Sequence, residues 1–406
     1  MKRFLILAIA LIILLIGGSL VYAHFKKADT ATNEIIPETP AVPEPPKPVA
    51  THIPTPTPVK AIYVSSWVAA SPTPLKRVMD LIDTTEVNAV VLDIKDATGR
   101  ISFLTDNPIL KETGSPENRI KKINEFINML HEKNIYVIGR ISTFQDPYLT
   151  KVKPEWAITK KSDGTVWKDR KGLSFLDPAN KEVWNYTLAL ADASYNVGFD
   201  EINFDYIRYP SDGNVQDIDY KLATKEDGTS TTRAENIEAF MKFINDSLRE
   251  KNPDIKTSAD LFGLVTTETT DMGIGQVLEK TLPHFDYIGP MIYPSHYAKG
   301  EYGVAEPAKN PYAIVMKALA GAKKKIDAMD ADINLSEEVK AHVQYSQIRP
   351  WIQDFSIGGV TYTADMVQAQ MKAVYDSGLD SWMMWDPSNK YTTAAYAKDP
   401  AAVPMQ

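Results

Sequence analysis

The chain has 406 residues, 44% of them hydrophobic and 24% charged, which is typical of a globular protein. It contains no cysteine, and this excludes disulfides, thiolate metal sites, a cysteine nucleophile and a lipoprotein anchor. A formal net charge of −8 without long basic runs argues against nucleic acid as a partner and favours a neutral or cationic substrate.

Residues 1–27 are predicted to be a targeting segment. Lys2 and Arg3 precede an apolar run, Phe4–Ala23, that at about 1.5 Å per residue is long enough to cross roughly 30 Å of hydrocarbon. Two interpretations stay open, a signal peptide cleaved after Ala23 or an uncleaved membrane anchor. Both predict that the rest of the chain is extracytoplasmic, either secreted or membrane-anchored.

Residues 28–59 are predicted to be a disordered linker, because nine prolines lie between residues 37 and 58. Proline fixes φ and lacks an N–H donor, so this stretch favours an extended polyproline-II spacer of about 60–70 Å. Such a spacer holds a domain away from a surface.

Residues 60–400 are predicted to form one domain, in which short β-branched runs alternate with segments of helical period. The predicted strands are Ala61–Trp67, Asn88–Ile94, Ile135–Arg140, Glu201–Tyr206, Thr257–Phe262, Tyr287–Tyr293, His342–Ser346 and Ser381–Trp385. The predicted helices span about 74–84, 117–133, 179–196, 232–251, 273–282, 308–327 and 364–377. Mostly apolar strands alternating with helices predict a closed (β/α)8 TIM barrel. An open doubly wound sheet is the alternative, disfavoured because no glycine-rich phosphate loop follows the first strand.

The longest predicted loops, at about 141–178, 207–231 and 294–307, each follow a strand. In a barrel of this type, the loops that follow strands form the C-terminal face, where active sites are built. Long loops at this face are expected to form the sides of a groove, which favours an extended substrate.

The fourth predicted strand ends in Asp205-Tyr206-Ile207-Arg208-Tyr209-Pro210, which places a carboxylate, a guanidinium and aromatic rings at its mouth. Side chains alternate along a strand, so Asn203 and Asp205 are expected to point inward, and Phe204 outward toward the helices. A purely structural pairing of Asp205 with Arg208 is the alternative interpretation.

Other strand ends carry similar groups. Asp93, Arg140 and Asp260 are expected to lie on the same rim as Asp205, and several aromatic side chains end there too, among them Trp67, Tyr206, Tyr293, Trp351 and Trp385. Aromatic rings stack on sugar faces while carboxylates bind hydroxyl groups, so this rim is typical of a carbohydrate site.

Glycosidic cleavage generally uses two carboxyl groups, about 5–5.5 Å apart for retention and about 6.5–9.5 Å apart for inversion. Asp205 and Asp260, on adjacent predicted strands, are the preferred catalytic pair, with Asp93 in reserve. Arg208 is expected to favour the ionised form of Asp205, and partial burial to raise the pKa of Asp260. Asp93, Arg140, Arg208, Tyr206, Tyr293, Trp67, Trp351 and Trp385 are expected to bind the substrate.

Other chemistries are disfavoured. The six histidines are scattered and no pair has ligand spacing, so a metal site is not expected. No other cofactor is expected either. No Gly-x-Ser-x-Gly elbow is present. A lyase or aldolase needs a lysine at a strand end, for which only Lys95 qualifies.

Several blocks of the sequence resemble a bacterial glycoside-hydrolase domain family, formerly a domain of unknown function, whose barrel is related to the alpha-amylase type. The blocks are Gly198 to Pro210, Val91 to Asp96 with Gly99, Ser258 to Gly263, and Tyr287 to Tyr297. The resemblance implies an eightfold barrel, a sugar-cleaving activity and Asp205 in the nucleophile position. The chain departs from amylase-type enzymes at Asn203, where they carry an arginine, and at Asp260, where they carry a glutamate acid.

The stretch from Phe199 to Tyr206 is also similar to the fourth-strand signature of chitinase-type barrels. Those enzymes carry a glutamate acid at the position of Ile207, and isoleucine cannot donate a proton. A chitinase mechanism would need Glu201 or another group to substitute.

The sequence therefore predicts an extracytoplasmic glycoside hydrolase that acts on a cell-surface or environmental polysaccharide and is associated with the membrane through its N-terminal segment. The alternative is a barrel that binds carbohydrate or organises the cell wall without cleaving it.

Overall fold

The computed structural model describes residues 50–222, 225 and 228–396. The predicted targeting segment and most of the predicted linker lie outside these residues, so both stay predictions. Within the part of the chain that the structure describes, no helix is long and apolar enough to cross a membrane.

Eight parallel strands form a closed barrel, as predicted. They are β1 Lys60–Val64, β2 Ala89–Lys95, β3 Tyr136–Ser142, β4 Glu201–Asp205, β5 Lys256–Phe262, β6 Tyr287–Met291, β7 Trp351–Gln353 and β8 Trp382–Trp385. Each strand pairs with its neighbours in the chain, and β1 closes the barrel against β8. The prediction of a (β/α)8 barrel is confirmed, and the open-sheet alternative is wrong.

The seventh strand was predicted in the wrong place. Residues 342–346 end a short helix, Glu337–His342, and enter a 3-10 turn, whereas the strand itself is Trp351–Gln353. The Ser336 side chain accepts a hydrogen bond from the Val339 N–H and caps this helix. A strand of only three residues is too short to produce a periodic signal.

In the described part of the chain, six longer helices surround the barrel. They are α1 Pro72–Thr84, α2 Ile123–His131, α3 Lys181–Tyr195, α4 Arg233–Lys251, α5 Pro311–Asp330 and α6 Ala364–Asp376. Shorter helical segments are Ser66–Ala69, Pro108–Glu112, Leu149–Val152, Leu278–Thr281 and Glu337–His342. The helix ends follow local chemistry: Thr232 and Glu235 form a capping box at the start of α4, and proline begins α1 and α5.

The helix predicted at 273–282 shrinks to four residues, Leu278–Thr281. Gly273 and Gly275 have φ values of 73° and 85°, in the left-handed region, so the chain cannot be helical there.

Alternation along β4 divides its side chains between two cores. Phe204 packs in the layer between the strands and the helices, as predicted, whereas Asn203 and Asp205 face the barrel interior. A separate apolar cluster, including Tyr63, Tyr136 and Met383, fills the interior itself. The interior is therefore a packed core whose polar groups come from inward-facing strand positions.

The barrel unit begins before residue 60, where the predicted linker was expected to end. The Ile53 N–H donates to Asp200 at 2.8 Å, and the Thr55 hydroxyl donates to Tyr136 at 3.0 Å. Residues 50–59 therefore pack on the N-terminal end of the barrel instead of extending away from it.

Candidate active site at the C-terminal end of the barrel

A cavity of about 510 Å³ lies where the strands end. The long loops predicted after the third, fourth and sixth strands do follow β3, β4 and β6, but the connection after β2, residues 96–122, is longer than the one after β6. Eight of the ten predicted site residues line the cavity: Arg140, Asp205, Tyr206, Arg208, Asp260, Tyr293, Trp351 and Trp385.

Asp205 and Asp260 lie side by side at the mouth of the barrel. Phe204 on β4 pairs with Ala259 on β5, so the next residue of each strand is at the same level. Neighbouring strands are about 4.8 Å apart, which sets the approximate spacing of the two Cα atoms. The two carboxyl groups therefore face the cavity from adjacent strands.

Asp205 accepts three hydrogen bonds. Its Oδ2 accepts from Nε of Arg140 at 3.1 Å and from Nη2 of Arg140 at 2.6 Å. Its Oδ1 accepts from the backbone N–H of Tyr206 at 2.6 Å. Tyr206 has a φ of 54°, rare for a residue with a side chain, and this sharp turn brings its N–H to the carboxylate. The surroundings of Asp205 thus suit a charged carboxylate, because charge-assisted hydrogen bonds are the strongest kind.

The guanidinium that holds Asp205 comes from Arg140, not from Arg208 as the sequence suggested. Arg140 stands on β3 next to Asn203 and also donates to Asp93 at 2.7 Å. Amylase-type enzymes carry an arginine at the position of Asn203, and here the neighbouring strand supplies that charge. The alternative of an Asp205–Arg208 structural pair is wrong.

Asp260 has the opposite environment. It is 1% exposed, and burial, followed by the charge of Asp205, raises its pKa to about 8. The expected direction is confirmed, although burial is complete rather than partial. Both described donors to its side chain, Nδ2 of Asn203 at 3.0 Å and Nε1 of Trp351 at 2.8 Å, bond to Oδ1. Oδ2, which accepts from neither donor, is therefore the oxygen available to hold the proton in the neutral form.

Space for Asp260 depends on Gly289 of β6. A Cβ atom at this position would lie 2.7 Å from Oδ1 of Asp260 and 3.2 Å from the ring of Trp351. Any side chain here would displace the Asp260 carboxyl group from its hydrogen-bonding partners.

Aromatic rings form one wall of the cavity. Trp385 stacks on Tyr63 with ring centroids 4.0 Å apart and meets Trp351 edge-on at 5.5 Å. Tyr293 lies 6.5 Å from Trp385. Rings held in this way provide rigid apolar surface beside the two carboxyl groups, the arrangement expected of a sugar site.

Two predicted binding residues lie outside the cavity lining. Trp67 is 56% exposed and contacts Asp96 and Arg119, with its Nε1 donating to Asp96 at 3.1 Å and the Arg119 guanidinium 4.0 Å above its ring. Asp93 is buried behind Arg140 and accepts from the Tyr63 hydroxyl at 2.6 Å. Asp93 therefore positions Arg140, and direct contact with a substrate is not available to it.

The site also contains residues that were not assigned to it from the sequence. They are Asn203, Phe262, Gly263, Leu264, Met291, His296 and Tyr297. Most belong to the sequence blocks on which the resemblance rests, so their nearness to Asp260 and Tyr293 in the chain was the available signal. Asn203 had been predicted to point inward and noted for the arginine it replaces, but it had been given no role in the site.

The structure also tests the groups considered for other chemistries. Lys95 is buried and donates to Asp146 at 2.8 Å, so it is not free to attack a carbonyl. Ile207 is fully buried in the helix layer. Glu201 pairs with Arg349 about 13 Å along β4 from Asp205, too far to act as an acid there. Among the described residues, no group of three or more His, Asp or Glu side chains is placed to hold a metal ion.

The chain is similar to several proteins of known structure. A hypothetical protein from Ruminiclostridium thermocellum is 34% identical over 49% of this chain and 96% of its own, with a TM-score of 0.43. The PgaB (BpsB) glycoside hydrolase domain from Bordetella bronchiseptica is 11% identical over 84% of this chain and 99% of its own, with a TM-score of 0.59, a likeness of fold alone. A search of curated sequences found no match.

One family model, described as "Putative glycosyl hydrolase domain", matches residues 61–391, which is nearly the whole barrel. The matched range contains all ten predicted site residues. The chain therefore belongs to this glycosyl hydrolase family, and its fold is a (β/α)8 barrel.

Proposed function

We propose that the chain is an extracytoplasmic glycoside hydrolase that cleaves a cell-surface or environmental polysaccharide, with Asp205 as nucleophile and Asp260 as general acid and base. The observation that carries this proposal is the pair of carboxyl groups on adjacent strands of one cavity. One accepts three hydrogen bonds, two of them from a guanidinium, and the other is held protonated by burial and by its neighbour's charge. Two carboxyl groups with opposed environments are the arrangement that divides acid and nucleophile roles.

In the proposed first step, the proton on Oδ2 of Asp260 passes to the glycosidic oxygen as the bond between that oxygen and the anomeric carbon breaks. Asp205 bonds to the anomeric carbon and forms a glycosyl ester. Water then attacks this carbon, gives its proton back to Asp260 and releases Asp205. The close spacing of the two strands favours this double displacement, and so retention of anomeric configuration, over inversion.

The substrate size and the location have separate support. Residues of the loops after β4, β5 and β6 line the cavity, and long loops at this end of a barrel suit a chain of sugars better than a small metabolite. The extracytoplasmic location and membrane association rest on the apolar run at residues 4–23. Cell fractionation checks the location, and recovery of the chain with cytoplasmic proteins would contradict it.

The central experiment incubates the full chain with purified bacterial wall and matrix polysaccharides, both neutral and acidic, and measures reducing-end release and binding. Asp205→Asn and Asp260→Asn are the test variants. Asp212→Asn, which changes an exposed carboxylate on the loop after β4, is the matched control. We expect release by the parent and by Asp212→Asn, and a loss of at least about 1,000-fold in Asp205→Asn.

Undiminished release by Asp205→Asn would refute the assigned mechanism. Binding without release, equal in parent and variant, would instead support a carbohydrate-binding module that has no hydrolytic activity. Proton NMR of the first product identifies the anomer, and an inverted product would exclude the glycosyl ester.

A further inference from the structure

Arg208 differs from every other buried cation in the described part of the chain. Four Lys or Arg residues are buried there, namely Lys95, Arg140, Arg208 and Arg349. Each of the other three forms an ion pair with a buried carboxylate. Arg208 is 8% exposed, lines the cavity and forms no ion pair with a described residue.

The guanidinium of Arg208 is held in place by neutral groups. Its Nη1 donates to the backbone oxygen of Tyr209 at 3.1 Å and to the Ser211 hydroxyl at 3.3 Å. The rings of Tyr206 and Phe262 lie 4.9 and 4.7 Å from its central carbon. The described hydrogen bonds of Arg208 involve Nη1, and its central carbon lies close to the two rings, so Nε and Nη2 are the donors that could bind a ligand in the cavity.

A buried charge without an acidic partner is costly. Desolvation disfavours the charged form, and burial accordingly lowers the pKa of Arg208. Proteins normally offset this cost by pairing the charge. Asp205, Asp212 and Asp169 act on Arg208 only through space, and Asp205 already accepts two hydrogen bonds from Arg140. A bound anion would supply the direct ion pair that the described residues do not.

We propose that Arg208, Tyr206 and Phe262 form a subsite for an anionic substituent of the sugar, a carboxylate or a sulfate ester. The inference rests on the proposed function and makes its substrate an acidic polysaccharide. Arginine presents paired donors that match the geometry of carboxylate and of tetrahedral oxyanions. The net charge of −8 had favoured a neutral or cationic substrate, but net charge averages over the whole surface, whereas recognition depends on the charges in one cavity.

The test measures binding of three sugars to the full chain by calorimetry and by fluorescence of the cavity tryptophans, Trp351 and Trp385. D-glucose is the neutral probe, and D-glucuronic acid and D-glucose 6-sulfate are the anionic probes. We expect at least one anionic probe to bind at least about tenfold more tightly than glucose. The ratio between the two anionic probes distinguishes a carboxylate from a sulfate.

Arg208→Gln should reduce this preference to less than about twofold, and Arg208→Lys should keep part of it because the charge remains. Arg77→Gln makes the same charge change on the exposed face of α1 and should leave the preference intact. If circular dichroism shows that Arg208→Gln does not fold, the wild-type preference and its partial loss in Arg208→Lys decide the question.

The proposal is overturned if wild-type chain shows no preference for an anionic probe, or if the preference survives in Arg208→Gln or is undiminished in Arg208→Lys. Binding is measured without turnover, so the two proposals fail separately. A chain that prefers glucuronic acid but cleaves no polysaccharide would contradict the hydrolase and leave the anionic subsite standing.

Discussion

The two ends of the barrel interior carry the same kind of ion pair in different surroundings. Strand β4 supplies a carboxylate to each end, Glu201 near its start and Asp205 at its last residue. Glu201 pairs with Arg349 and accepts from the Ser258 hydroxyl at 2.6 Å. Residues 50–59 pack over that end, whereas the end with Asp205 opens into the cavity.

The two ends differ in the number of carboxyl groups for each guanidinium and in whether those groups are open to the cavity. At the N-terminal end one carboxylate meets one guanidinium, and the pair is closed off. At the C-terminal end, Asp93 and Asp205 both bond to the guanidinium of Arg140, Asp260 acts on it through space, and Arg208 forms no ion pair with any of the three carboxyl groups. Asp260, the carboxyl group without a direct bond to a guanidinium, has a raised pKa and lies beside the open cavity. Buried carboxyl groups next to an arginine are therefore structural at the closed end, whereas at the open end one of them is placed to transfer a proton.

The largest effect is expected from Arg140→Leu. This change leaves Asp93 and Asp205 buried without their shared cation, which should lower the free energy of unfolding by about 3–5 kcal/mol. Turnover should fall by at least about 100-fold because Asp205 loses two of its donors. Urea unfolding and kcat measure the two effects. Arg140→Lys, which retains the charge, should recover part of both, and wild-type turnover in Arg140→Leu would contradict the role assigned to the cluster.

Glu201→Gln tests the closed end. It removes the charge opposite Arg349 and should also cost about 3–5 kcal/mol in the free energy of unfolding. The variant should keep kcat within about threefold once folded, since Glu201 is about 13 Å along the strand from Asp205. A large loss of kcat in fully folded protein would mean that the two ends are not separate.

The proton on Asp260 predicts a pH dependence. With a pKa of about 8, Asp260 is protonated at neutral pH and loses its proton as the pH rises through 8. We expect kcat to fall about tenfold per pH unit above that point. If kcat instead began to fall at a much lower pH, Asp260 would be excluded as the general acid.

The same group predicts a pH dependence of stability. Because its pKa is higher in the folded chain than its ordinary value of 3.8, its contribution to the free energy of unfolding is complete below about pH 4 and is lost as the pH rises through 8. Asp260→Asn should remove this part of the pH dependence, which urea unfolding at pH 6 and pH 9 measures.

Trp351→Phe makes a smaller change at the open end. The Trp351 N–H bonds to the charged form of Asp260 and lowers its pKa, so removing it should move the alkaline limb of kcat to higher pH. One such hydrogen bond is worth about 1 kcal/mol, or about fivefold in the protonation equilibrium. A shift to lower pH would reverse the assigned role. Trp382→Phe, in the helix layer, should leave the limb in place.

Trp67→Ala should have the smallest effect. Trp67 is exposed and does not line the cavity, so kcat and KM for a short oligosaccharide should change by less than about twofold. Trp385→Ala, which removes cavity wall, should raise KM by at least about fivefold. Equal effects of the two changes would place the sugar on the rim rather than in the cavity.

Local pattern made much of this barrel predictable. Seven of the eight strands lie where β-branched runs place them, and alternation along β4 correctly turned Asp205 inward and Phe204 outward. These features depend on neighbouring residues and on the two-residue period of a strand, which a linear sequence displays directly. Strand β7 was not predicted because a strand of three residues is too short to show the alternation of side chains.

The sequence by itself predicted the barrel and the placement of Asp205 and Asp260 at the ends of adjacent strands. Only the tertiary structure decided that Arg140 rather than Arg208 holds Asp205, that Trp351 bonds to Asp260, and that Trp67 stays outside. Arg140 and Asp205 are 65 residues apart, and Trp351 and Asp260 are 91 apart. Such contacts form only when the barrel closes, because closure brings neighbouring strands to about 4.8 Å and fixes which strand ends meet.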